Sequence, residues 1–259
     1  MTDEQRRLVT PTFVVVTASA LAYFAALGML LPTLPRYVRD VLGGGGVAVG
    51  VVTGTFAFAA AVVRPWVGHF GDRSGRRVLV VAGCLLVGVS VALYAVVDGL
   101  VPLVALRIVS GLGEAAVFVG AATAIQDMAP PHRRGEAASY FSVSIYGGLA
   151  IGPALGEILL GRSGFDTVWL VAAGLMLLAA GLGAFTPSDV VVVEDPGRRR
   201  LLHPAALGPG SVLALSLAGL AAFDGFLALY VDDLGIDDAA PYFIPVSYTH
   251  LTLPTKRIV

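Results

Sequence analysis

Four ionisable residues lie inside long apolar runs: Arg107 and Glu114 within Val101–Ile125, Glu157 within Ala137–Leu160, and Asp224 within Ser211–Val231. A charge near the centre of a bilayer costs about 2.5–3.5 kcal/mol on insertion scales and normally faces a partner or a cavity. A carboxyl there is poised between a neutral form, favoured by low dielectric, and a charged form, favoured by a nearby guanidinium, so motion can make it take up or release a proton. Arg107, Gly111 and Glu114 follow at i, i+4 and i+7, on one helix face. A structural ion pair, such as Arg107 with Glu157, is the competing reading of these charges. Counting 1.5 Å per residue, Glu114 and Asp224 sit roughly 20 Å in from their span ends, near the midplane.

Other chemistry finds no support in the residues. His69, His132 and His203 fall in separate polar stretches and His250 near the end of the chain, and Cys84 is the only cysteine, so no metal cluster, disulfide or nucleophile–base pair is indicated. Gly111-Leu112-Gly113-Glu114-Ala115-Ala116 has the form of a dinucleotide turn but lies in an apolar run too long for a strand, and Gly43–Gly46 is not followed by Gly-Lys-Ser/Thr. We expect no enzyme, no cofactor and no ATP-driven step. The net charge of −1, with arginines scattered along the chain, argues against a nucleic-acid binder.

The elements that position the charges follow from composition. The 259 residues are 56% hydrophobic and 14% charged, with a mean hydropathy of +0.83, too little polar surface for a soluble domain and fitting for a chain embedded in a lipid bilayer. Seven runs are long and apolar enough to cross a membrane: Pro11–Pro35, Val47–Val67, Val78–Val97, Val101–Ile125, Ala137–Leu160, Phe165–Phe185 and Ser211–Val231. The first follows Arg6 and Arg7 without a small-residue cleavage site, so it reads as a retained span. Ten arginines (Arg6, Arg7, Arg73, Arg76, Arg77, Arg133, Arg134, Arg198, Arg199, Arg200) fall on one side, against Arg36, Arg39 and Arg162 on the other. By the positive-inside rule the N-terminus and the Thr186–Pro209 stretch are cytoplasmic. Arg64 lies close enough to its span's end to reach the interface by extending along its stem. Tyr37-Val38-Arg39-Asp40-Val41-Leu42-Gly43 and Tyr230-Val231-Asp232-Asp233-Leu234-Gly235 close the first and seventh spans alike, as parallel repeats would.

Between the second and third spans runs Gly68-His69-Phe70-Gly71-Asp72-Arg73-Ser74-Gly75-Arg76-Arg77, where glycines give a tight turn and Asp72 can accept bonds from arginines. With its Gly68, Asp72, Arg73, Gly75, Arg76 and Arg77 in register, this loop resembles the signature of the major facilitator superfamily. Arg107 with Gly111, Asp127 with Pro131-x-Arg133-Arg134-Gly135-Glu136, and Gly28 followed by Pro32 and Pro35 resemble further motifs of the same family, in the same order. Gly148, Gly152, Pro153 and Gly156 resemble its antiporter helix motif, with Ser139 and Glu157 standing where glycines are usual. Physically, the proline kinks and the glycines permit close packing or bending; the residues alone do not choose between hinge and packing.

The resemblance implies an all-α membrane protein: a major facilitator-type six-helix N-terminal bundle (residues 1–186), a central cytoplasmic loop (187–210) and the seventh transmembrane helix opening a second bundle (211–244). It implies a secondary transporter of the inner (plasma) membrane, monomeric when full length, exchanging protons for a small-molecule substrate in multidrug-like efflux. Uptake of a sugar or other metabolite with protons is the alternative, and a non-transporting receptor or scaffold a remote one. Arg107, Glu114, Asp224 and Glu157 are the candidates for proton coupling and the cavity, and Asp72 for holding the cytoplasmic side closed. The stretch Val246–Thr255 breaks the composition, precedes the only lysine, Lys256, and resembles the translation of a sequencing-library transposon adapter. Residues 245–259 are therefore expected to be non-native and the remainder an inactive fragment of a longer transporter.

Overall fold

The computed structural model describes residues 8–188, 204–236 and 241–243. Arg6, Arg7, Arg198–Arg200 and the Val246–Thr255 tail lie outside the described residues. Six helices carry the architecture: α1 Pro11–Arg36, α2 Gly46–Ser74, α3 Arg76–Ala92, α4 Leu100–Asp127, α5 Arg134–Gly183 and α6 Pro204–Asp233. No strand occurs among the described residues.

The helix ends follow from local chemistry. Thr10 caps α1, its Oγ1 accepting from Phe13 N at 3.2 Å, and Pro11 occupies the first turn, where no donor is needed. At its far end α1 runs into a π-helical turn, Tyr37–Val41, closed by Leu42 N donating to Tyr37 O at 3.2 Å. A π-turn holds one residue more than an α-turn. It absorbs the one residue, Val41, by which Tyr37–Gly43 exceeds its counterpart Tyr230–Gly235. Gly75, at φ +87°, separates α2 from α3 in a conformation that L side chains rarely adopt.

One boundary agrees with the hydropathy reading and one differs. The fifth and sixth spans are the two limbs of α5, 134–163 and 165–183, parted at Gly164 (φ 77°, ψ −178°). The turn falls in the gap expected between the two spans, beside Arg162 and Ser163. The seventh helix begins at Pro204 rather than Ser211, because proline at the first turn suits a helix start. The end of the expected loop is therefore helical.

Glycine governs the closest packing. A Cβ built on Gly152 would stand 2.7 Å from Gly28 Cα, one on Gly148 2.6 Å from Ala25 N, and one on Gly156 2.6 Å from Met29 O. The motif therefore lies directly on the α1 backbone, with Pro153 Cδ 3.2 Å from a Cβ on Gly28. α3 meets α4 in the same way through Gly83 and Gly113. Trp169, Tyr23, Tyr94, Phe13, Met29 and Leu103 fill the interior. Tyr37 and Tyr94 set their rings edge-on to Trp169 at 5.5 and 5.6 Å, joining the end of α1 to the second limb of α5.

Candidate functional site

Within the apolar body of α4, Arg107, Ser110 and Glu114 form one buried polar strip. Glu114 is 6% exposed, and both of its oxygens accept from Arg64 Nη2 of α2, at 3.1 and 3.3 Å. The Arg64 guanidinium also stands 4.4 Å from the centre of the Phe118 ring, a cation–π contact, while its Nε is buried without a partner. Arg64 was read from the sequence as extending to the interface. The structure corrects this: the side chain is partly exposed but its charge is spent on Glu114, where a buried carboxylate needs a counter-ion.

Arg107, about two turns earlier on α4, is turned to α2 as well. Its Nε donates to Val52 O at 3.1 Å and its guanidinium lies 4.1 Å from the Phe56 ring centre, leaving Nη1 buried and unpartnered. Tyr23 of α1 is fully buried with an unpartnered hydroxyl. Tyr94 Oη and Ser110 Oγ, 3.3 Å apart, complete this polar interior. The arrangement holds two guanidiniums and one carboxylate, with several N–H and O–H groups lacking partners. It can exchange a proton at Glu114 and rearrange the guanidinium that faces it.

The alternative pairing of Arg107 with Glu157 does not form. Glu157 instead accepts from Arg36 Nη1 at 2.6 and 2.5 Å, at the opposite end of α1 from Thr10. Arg36 Nε and Nη2 reach Asp232 of α6 at 2.9 and 2.5 Å, and Arg39 Nη2 reaches the same carboxylate at 2.6 Å. Arg36, Glu157 and Asp232 line a cleft of about 610 Å³ together with Asp40. From the sequence, Arg36 and Arg39 count for sidedness, and Arg39 also within the repeated segment, with no partner given to either. The available signal was that Arg39 and Asp232, equivalent in the two repeated segments, carry opposite charge.

At the other end, Asp72 Oδ1 accepts from Arg76 Nη1 at 2.9 Å, and Arg76 Nε reaches Asp127 Oδ2 at 3.4 Å, so one guanidinium joins two motif carboxylates. Arg77 Nε donates to Thr186 O at 2.7 Å, tying the loop to the end of α5. Arg73 is exposed, and a Cβ on Gly68 would meet nothing within 4 Å. Asp224 is on α6, but its side chain lies outside what the structure describes.

Residues 16–252 match the family described as Major Facilitator Superfamily. The chain is 28% identical over 229 residues to Multidrug resistance protein 1 of Bacillus subtilis (strain 168), spanning 85% of this chain and 58% of that protein. It is 28% identical over 221 residues to Quinolone resistance protein NorA of Staphylococcus aureus (strain MRSA252), spanning 80% of this chain and 55% of that one. The chain thus spans a little over half the length of these curated relatives. Among solved structures it resembles the nucleoside transporter NupG, with a TM-score of 0.67 at 15% identity, over 93% of this chain and 65% of that one. It also resembles the human organic anion transporter MFSD10 (TETRAN), with a TM-score of 0.68 at 17% identity, over 98% and 72%. At these identities the two structures show the fold alone.

Proposed function

The chain belongs to the Major Facilitator Superfamily, a family of multi-pass membrane transporters, and on that footing we propose that the complete protein is a proton-coupled efflux permease for small molecules. The observation that carries the reading is Glu114: a carboxyl buried in the first bundle, with Arg64 from a neighbouring helix as its hydrogen-bond partner. As a carboxylate, Glu114 holds α2 to α4 through Arg64. On taking a proton it gives up that charge, the pair weakens, and the two bundles are free to rock about a midplane site and expose substrate to the other side. The named roles of the relatives in multidrug and quinolone resistance support drug-like substrates and export rather than uptake.

In this reading the N-terminus faces the cytoplasm and the Asp72–Arg76–Asp127 contact helps close that side. The complete transporter works as a monomer in the plasma membrane. The polar stretch after Thr186 is the central loop, α6 opens the second bundle, and Val246–Val259 is foreign to the protein. Sequencing intact genomic DNA downstream of Ile244 tests the last point: further spans are expected, and the presence of Val246–Val259 would overturn it.

The function itself is tested with the complete protein in inverted membrane vesicles whose interior is acidified, so that the proton gradient is directed outward, and a fluorescent quinolone. Uptake into the vesicles that collapses with a protonophore is expected. Flux that ignores the gradient, or that runs only in company with protons, would overturn proton-coupled export.

A further inference from the structure

We propose that Arg36 and Arg39 form a charged socket on the first bundle for the Asp232 carboxylate of α6, built so that the contact opens without leaving either guanidinium bare. The surface and its partner are therefore parts of one chain: the end of the first bundle and the end of the helix that opens the second.

The division of hydrogen bonds carries the inference. A guanidinium has five N–H donors in a fixed fork. Arg36 gives Nη1 to Glu157 on α5, and Nε with Nη2 to Asp232 on α6. Arg39 gives Nε to Asp40 at 2.7 Å in its own π-turn, and Nη2 to Asp232 at 2.6 Å, with Asp233 3.7 Å from Nη1. Each arginine thus holds one carboxylate inside the first bundle and shares another across the gap to α6. Arg36 is 7% exposed, so a charge there is costly when unpaired. Glu157 removes that cost when Asp232 departs, because it uses a different edge of the guanidinium and need not move.

A contact serving only to cement α6 in place would gain nothing from the in-house partners. They draw on the same positive charge and weaken its attraction for Asp232. Their presence makes the joint separable, and the cleft of about 610 Å³ around the cluster leaves room for the carboxylate to withdraw. The opposed charges at repeat-equivalent positions Arg39 and Asp232 also register the two repeats against each other. Glu157 stands at a position that the antiporter motif normally gives to glycine, and here it keeps Arg36 neutralised. Neither Arg36 nor Asp232 takes part in the proton exchange assigned to Glu114, so the inference is independent of that assignment.

The test uses the complete protein in lipid nanodiscs, with spin labels at Val96 and Leu234, both exposed, in a Cys84→Ala background, and pulsed dipolar spectroscopy to read closed and open populations. Asp232→Asn should lower the ratio of closed to open by about tenfold, the effect of losing one charge-assisted pair. Glu157→Gln should keep or raise the ratio, because Arg36 then depends on Asp232 alone. Arg39→Gln, which leaves both Arg36 bonds to Asp232 in place, should lower the ratio less than Asp232→Asn does. An unchanged ratio in Asp232→Asn, or a fall in Glu157→Gln matching that in Asp232→Asn, would overturn the proposal. Helicity by circular dichroism confirms that each variant is folded, and where Asp232→Asn fails to fold, an unchanged ratio in Arg39→Gln would overturn the proposal.

Discussion

Arg64 and Glu114, 50 residues apart in the chain, are joined across α2 and α4 by one guanidinium nitrogen that serves both carboxylate oxygens. Removing one member of such a pair leaves the other buried and uncompensated, whereas removing both is far less costly. Arg64→Gln should therefore lower stability by on the order of 2–3 kcal/mol, and adding Glu114→Gln should recover most of it. Thermal unfolding of the four proteins in detergent reads the coupling. Losses that simply add would contradict the pairing.

Gly152 offers a steric test. Alanine there would bring a Cβ within 2.7 Å of Gly28 Cα and would have to push α1 from α5. Overpacking of this kind costs about 1–3 kcal/mol, so Gly152→Ala should lower the melting temperature clearly. Gly161→Ala, on the same limb with nothing within 4 Å of its Cβ, should leave it unchanged. Equal melting temperatures for the two variants would show that the close approach is not what the glycine serves.

The number and order of spans were legible because crossing a bilayer demands long apolar runs, and the Gly68–Arg77 loop was legible because its residues act on near neighbours, as Asp72 does with Arg76. Partners across helices were not. α2 and α4 are apolar almost all round, so hydropathy does not fix how each turns about its axis, and Arg64 could not be matched to Glu114 or Glu157 to Arg36. The glycines of α5 announced close approach without naming the neighbour, which proved to be the α1 backbone. The Gly164 turn was legible, because Arg162 and Ser163 interrupt the apolar run just before it.

Asp72→Asn in the complete transporter should reduce transport strongly, on the order of tenfold, while membrane abundance stays near normal. The substitution removes one of the two carboxylates that share Arg76 but leaves Asp127 in place, so folding survives and the closure of that side weakens. Transport assays alongside quantitative blots check this. A loop charge without a gating role would tolerate the change, because acidic residues contribute little to orientation.

Orientation is open to direct labelling. In a Cys84→Ala background, cysteines at Ser74 and Arg199 should react only with membrane-permeant reagents, and one at Ser163, which is exposed at the opposite end, should react from outside. Labelling of Ser74 or Arg199 by an impermeant reagent applied to intact cells would invert the topology.

The most direct measurement of proton coupling is drug-induced proton release from the purified complete protein, followed in weakly buffered detergent solution for wild type, Glu114→Gln and Asp224→Asn. Glu114→Gln holds the position permanently neutral, so the expected result is loss of proton release with drug binding retained, as judged by fluorescence titration. Asp224→Asn tests the candidate carboxyl of the seventh span and should reduce release less. Proton release at the wild-type level in Glu114→Gln would contradict the assignment and remove Glu114 from the coupling mechanism.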